Sequence, residues 1–266
     1  MNAGSAPHAL IAPCGPWSRG TYLSRRHTVD TLTRDVQVGA PISTQIAAAR
    51  SHADDRSTNA HRQLIGWIGL FLPLVLMALA VWRDTWDGWR KLESISAYYY
   101  SGGAAAFLGM LTALALFLFT YRGYKNEYGK WDRRLSNWAG IAALVVALFP
   151  TRSPKDVAPL TWWAPWVGVV HHVAAIALFS CFALFALWLF NQTKTRTWRN
   201  TLYTACGILI VISMLAAGYC AFIGQPIFWP ESAALVAFAL SWLVKGYAFK
   251  TLTSRAVKGA AWVPAR

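Results

Sequence analysis

The chain has 266 residues, 56% hydrophobic and only 14% charged, with 25 Lys and Arg against 11 Asp and Glu for a net charge of +14. Soluble domains carry about 25% charged residues, so the composition argues against an ordinary water-facing surface. It points to a bilayer as solvent.

Residues 1–62 are polar, rich in Arg, Ala, Ser and Thr, and show no periodic apolar face. They read as a disordered basic tail, or as an upstream extension from a misplaced start codon. Arg19, Arg25 and Arg26 without a nearby acid resemble an organelle transit segment, but Asp30, Asp35, Asp54 and Asp55 dilute that pattern. The continuous apolar stretch of a secretory signal is missing. Residues 63–250 follow as the membrane domain, and 251–266 as a short basic tail.

Six apolar stretches succeed one another: Leu64 to Trp82, Gly102 to Tyr121, Asn137 to Pro150, Trp163 to Phe190, Leu202 to Ile223 and Ser232 to Phe249. A helix needs about 20 residues to cross a hydrocarbon core, and runs this long satisfy their backbone groups as helices. The third stretch is short. It reaches membrane length only with Leu135, Ser136 and Thr151. The predicted fold is an all-α integral membrane protein, a bundle of six transmembrane helices.

The basic residues orient the bundle. With the N-terminus inside, 20 of the 25 Lys and Arg fall on the cytoplasmic side and five (Arg83, Arg90, Lys91, Arg152 and Lys155) outside. This positive-inside bias predicts both termini in the cytoplasm, with the protein expected in the cell's inner membrane. The same distribution removes nucleic acid as a partner. Trp82, Trp86, Trp89, Trp162, Trp163, Trp166 and Trp229 fall at the predicted outer boundary, where indoles favour the headgroup level. Cys181, Cys206 and Cys220 lie in apolar runs and read as packing residues. Cys14 lacks the context of a lipoprotein site, and no Cys/His zinc spacing appears.

The stretch WRKLESISAYYYSGG, Trp89 to Gly103, collects an acid, three serines and three tyrosines at the outer mouth of the second helix. The tyrosines suit an interfacial belt. Gly102, Ala106, Gly109 and Ala113 form a small-residue stripe of the kind that lets helices approach closely. Glu93, Ser94 and Ser96 fit N-terminal capping, as does Glu231 behind Pro230. His171 and His172 sit in the outer third of the fourth helix, where ionisable groups are costly and turn to the bundle interior. Gly168, His171, Ala174, Ala175 and Leu178 share one packable face, and His172 lies about 100° around the axis. The second, fourth and sixth helices all begin outside. Glu93, Ser94, Ser96, Tyr98, Ser101, Arg152, Asp156, His171, His172 and Glu231 are therefore gathered at one end as a candidate polar pocket. Interhelical hydrogen bonding explains the same residues without a ligand.

The order of ESISAYYYSGG, GMLTALALFLFTYRGY, AGIAALVVALFPT and HHVAAIALFSCFALFALWLF, spanning about Ile65 to Gly246, resembles a group of bacterial multi-pass membrane proteins defined only as a domain of unknown function. That group is distantly similar to DRAM-like proteins and to the alkaline ceramidase and adiponectin receptor superfamily. The latter similarity implies a zinc amide hydrolase with a serine, an aspartate and three histidines in seven helices. This chain offers six stretches and two adjacent membrane histidines, which diverge on a helix, whereas zinc takes three or four protein ligands.

The leading expectation is a non-enzymatic membrane protein that binds or senses a lipid or small hydrophobic molecule in an outward-facing pocket, with membrane lipids as partners and no cofactor. The alternative is a membrane-embedded, metal-dependent hydrolase of lipid amides or esters, with His171 or His172 as base or as zinc ligand. A haem protein ranks last, because axial histidines must face each other from separate helices.

Overall fold

The structure, a computed structural model, describes residues 41–83, 93–123, 127–155, 157–193 and 195–247, without the side chains of 47–55 and 81–83. Among the described residues every regular element is helical. In chain order these are α1 (Ile42–Arg83), a 3-10 turn (Ser96–Tyr100), α2 (Ala104–Thr120), α3 (Gly129–Leu148), α4 (Pro165–Leu187), a 3-10 turn (Leu189–Asn191), α5 (Trp198–Phe222) and α6 (Phe228–Lys245). Each of the six apolar stretches thus lies on a helix. The segment of α1 from Arg56 to Ala80, α4 with its 3-10 extension, and α5 are long and apolar enough to cross a membrane. The protein is a helical membrane protein. Helix α2 is apolar on all sides but has 17 residues. The first turns of α3 carry Lys130, Asp132, Arg133 and Arg134, and α6 begins with Glu231 and ends with Lys245.

The chain divides between Ala53 and Asp54. Of the first unit, residues 41–53 are described, and from Ile42 onward they are helical. Residues 42–62, expected as part of a disordered tail, are therefore helix. They are rich in Ala and Arg, which lose little on entering a helix, and they extend one already nucleated by the apolar segment behind them. The tails at 1–40 and 248–266 lie outside the described residues.

Within the second unit the helices form a ring in which neighbours run antiparallel. Helix α1 meets α2 with His61 beside Thr120 at one level and Leu76 beside Gly103 at the other. Ser136 of α3 donates to the carbonyl of Leu118 on α2, at 2.6 Å. Helices α3 and α4 touch through Phe149 and His171 at one end and Trp131 and Trp188 at the other. Gly207 of α5 lies against Leu187 of α4, and Tyr203 of α5 lies near Lys245 of α6. The ring closes where Gly66 and Gly69 of α1 meet Leu243 and Phe238 of α6.

Lipid tails are as apolar as leucine, so close packing rather than water exclusion holds such a ring together. Its interior is aromatic. Phe182 and Phe238 stack at 3.6 Å between centroids, and the fully buried Trp242 has Tyr121, Phe185 and Phe190 around it at 5.0–5.3 Å. The small-residue stripe of α2 is only partly a contact face, with Ala106 packed against the core and Gly109 open. A Cβ on Gly109 would meet nothing within 4 Å, and α2 instead buries Phe107, Leu111, Leu114, Ala115 and Leu118. The close approaches fall at Gly66, Gly69, Gly140 and Gly207, where an added Cβ would come within 3.0 Å or less of a neighbouring helix's side chain.

Candidate functional site

The segment Glu93–Gly103 crosses one end of the ring and is tied to α6, to α4 and to the stretch that follows α3. Ser94 makes a local turn, its Oγ accepting from the Ala97 N–H at 3.0 Å. Ser101 does the same further on, donating to the Tyr98 carbonyl at 2.9 Å and accepting from the Gly103 N–H at 3.0 Å. These short side-chain bonds replace a longer helix here, as serines compete with helical backbone bonding. Ser94, Ile95, Ser96, Ala97 and Tyr98 are buried, although the chain outside the turn Ser96–Tyr100 has no regular structure.

The ties come from outside the segment. From α6, the Glu231 carboxylate accepts from the Ile95 N–H at 2.7 Å, while the Ile227 N–H donates to the Glu93 carbonyl at 2.6 Å. Beyond α3, the Thr151 carbonyl accepts from the Tyr100 hydroxyl at 2.7 Å. From α4, His171 approaches Ser96 Oγ with Nε2 at 2.8 Å and the Phe149 carbonyl with Nδ1 at 2.6 Å. A carbonyl has no hydrogen to give, so Nδ1 carries the ring proton. In the neutral ring Nε2 must then accept from the Ser96 hydroxyl. Burial pushes the Tyr98 and Tyr100 phenols above their ordinary value, with Tyr99 adding to the effect on Tyr100, so both remain neutral.

The ten candidate residues divide accordingly. Ser94, Ser96, Tyr98, Ser101, His171 and Glu231 belong to this network. Glu93 is exposed and joins it through its backbone, and Arg152 is exposed at the surface. His172 is exposed too, its Nδ1 2.6 Å from the Gly168 carbonyl of its own helix. Asp156 lies outside the described residues. Glu231 caps no helix by its side chain; it secures another segment instead.

The zinc set implied by the resemblance does not fit these residues. Both ring nitrogens of His171 are engaged by oxygen atoms, His172 turns outward, and among the described residues no three His, Cys, Asp or Glu side chains are placed to hold a metal ion.

Two further features were not anticipated from the sequence. The first is an apolar groove of about 490 Å³ between α3 and α4. Its walls are Trp138, Ile141, Ala142 and Val145 on one side, Val169, Val170, Val173, Ala174, Ala177 and Cys181 on the other. The second is a set of buried charges at the opposite end of the ring. Arg62 is 1% exposed, donates to the Tyr121 hydroxyl from Nε and Nη2 at 3.1 and 2.9 Å, and donates to Asn59 from Nη1 at 3.0 Å. Lys245 donates to the Phe190 carbonyl at 2.9 Å and lies within the field of Arg62, Asp132 and Arg199. Arg62 falls in the polar tail by composition, and Lys245 reads as one more cytoplasmic cation. Only their position beside apolar runs hints at burial.

No protein-family model, curated protein or solved structure matches the chain.

Proposed function

We propose that the protein crosses the bacterial inner membrane six times with both termini in the cytoplasm, and that it binds or senses a lipid or small hydrophobic molecule at the outer end of its helical ring. The observation that carries this reading is the convergence of Glu231 from α6 and His171 from α4 on one buried, polar segment, Ser94–Tyr98. Ionisable groups held inside a membrane bundle mark functional sites more often than they do in soluble cores. Between α3 and α4, lined by neither Glu231 nor His171, runs an open apolar groove suited to a hydrocarbon chain. The similarity to bacterial multi-pass proteins belongs to the same proposal.

The test has two arms. In a chain whose own cysteines are replaced by alanine, Ser153→Cys is expected to react with a membrane-impermeant maleimide on intact cells, and Thr195→Cys only after lysis. Labelling of position 195 from outside overturns the topology. Purified protein in nanodiscs is expected to immobilise a spin-labelled phospholipid, and Ala177→Phe, which fills the groove, to release it. Spectra indistinguishable from those of lipid-only nanodiscs overturn the binding reading.

A further inference from the structure

We infer that the groove between α3 and α4 holds an acyl chain of an anionic phospholipid from the cytoplasmic leaflet, with the lipid phosphate at Arg134. The inference rests on the proposed topology and on reading the groove as a lipid site. It takes nothing from the Glu231–His171 network, and it adds the charge of the headgroup and the leaflet.

The groove follows from the sizes of the side chains that line it. Ala142 on α3 and Ala174 and Cys181 on α4 are buried and small, whereas Trp138, Val169 and Val173 stand exposed. Helices that touch through Phe149 and His171 at one end and through Trp131 and Trp188 at the other therefore leave a trough between them. Its lining is almost wholly apolar, which suits a hydrocarbon chain and no polar solute.

Length limits the occupant. From Arg134 to Val145, the last lining residue of α3, the helix rises about 16.5 Å at 1.5 Å per residue. That is close to half of a ~30 Å hydrocarbon core. The groove matches a chain of one leaflet.

Charge selects the leaflet. Lys130, Arg133 and Arg134 are all exposed on the first turns of α3. Asp132 among them is buried, and the exposed Glu127 ahead of the helix offsets one of the three cations. Arg134, Trp138, Ile141 and Val145 are spaced by four, three and four residues, so the cation shares the face that lines the groove. Its guanidinium lies over the Trp131 ring at 5.4 Å, and that ring meets Trp188 across the helix pair at 5.8 Å. Indoles favour the headgroup level, and a guanidinium at that depth presents a planar fork that fits a phosphate. At the opposite end Arg152 and Lys155 are exposed too, but they follow α3 in irregular chain, off the groove face. Basic pockets between membrane helices on the cytoplasmic side hold anionic headgroups. Lys130 and Arg133 strengthen the attraction for a net negative lipid and oppose the amine of a zwitterionic one.

The experiment uses the full-length protein in phosphatidylcholine nanodiscs carrying a trace of phosphatidylglycerol or phosphatidylcholine spin-labelled on the acyl chain. The expected result is about fivefold stronger immobilisation of the phosphatidylglycerol probe. Arg134→Gln should bring the two probes level, while Arg134→Lys and Arg152→Gln keep the preference. Ala177→Phe, which fills the groove, should release both. Equal immobilisation of both probes by the wild type overturns the headgroup assignment and leaves the groove standing as a lipid site. Lipid-only spectra for both probes remove the groove reading itself. A preference that survives Arg134→Gln also overturns the inference, and its loss in Arg152→Gln instead places the headgroup in the other leaflet. Light scattering covers the remaining occupant: a dimer that Ala177→Phe splits, with probe mobility unchanged, makes the groove a contact between two copies and overturns the lipid assignment.

Discussion

Glu231, in the first turn of α6, reaches out of its own helix and accepts a hydrogen bond at 2.7 Å from the backbone N–H of Ile95, 136 residues earlier in the chain. One carboxylate thus holds a buried, irregular segment against the ring. Hydrogen bonds to charged groups are worth about 1.5–3 kcal/mol. Glu231→Ala is expected to destabilise the protein by about 2 kcal/mol, and Glu231→Gln, which keeps a neutral acceptor, by about half as much. Chemical unfolding in micelles measures both. Equal losses in the two variants would show that the bond to Ile95 is not the cause.

Arg62 at the other end sets a comparable test. Its guanidinium makes three hydrogen bonds while 1% exposed. Removing one member of a buried polar set costs about 3–5 kcal/mol, because the partners are left unmet. Arg62→Ala should fall in that range. Arg62→Lys should recover little, since a compact ammonium cannot reproduce the planar fork that serves Tyr121 and Asn59 together. Unfolding midpoints that rank lysine beside the wild type would contradict this account.

Two glycines should respond in opposite directions to the same change. A Cβ on Gly66 would sit 2.7 Å from Leu243 Cγ and 3.1 Å from the Ala239 carbonyl oxygen, and the backbone atom cannot move aside. Gly66→Ala is expected to lose about 1–3 kcal/mol by overpacking. Gly109 has open space around it, so Gly109→Ala should gain up to about 1 kcal/mol from helix propensity. Thermal unfolding of the pair in one detergent gives the comparison directly.

Trp242 is fully buried among Tyr121, Phe185, Phe190 and Phe238, and its indole N–H has no hydrogen-bond partner. Trp242→Ala empties the centre of the ring and should cost about 3–5 kcal/mol. Trp242→Phe also removes the unmatched donor, which offsets part of the lost volume, and should cost much less than alanine. A phenylalanine variant as unstable as the alanine one would mean that the indole edge makes a contact of its own.

Hydropathy located the helices because burial in lipid demands long apolar runs, and each of the six stretches has its helix. The polar ends were harder. Helix α3 begins at Gly129, eight residues ahead of its apolar stretch, since Asp132 is buried there although its neighbours Arg133 and Arg134 are exposed. One-dimensional hydropathy cannot tell a buried charge from a solvated one. The 3.6-residue period was enough to put His171 on the same face as Gly168 and Ala174, and all three are buried. Its partners, Ser96 and Phe149, lie 75 and 22 residues away, and no local pattern encodes that meeting. The Gly102–Ala113 stripe foretold a packed helix but only in part the face that packs, for a related reason. Small residues permit close approach without requiring it, and the neighbours of α2 meet its leucines instead.

Because α1 and α6 lie side by side and antiparallel, a Cβ on Gly246 would come within 3.0 Å of both Arg62 Cβ and the Asn59 carbonyl. The two strands of the ring's seam therefore leave from the same end, a few ångströms apart. A permuted chain, stitched from Tyr247 to Asn59 by a few glycines and opened instead between α4 and α5, would keep α2 to α6 and the part of α1 from Asn59 onward in place, at the cost of the first turns of α1. The sequential order of the helices is then a matter of synthesis rather than of the finished architecture.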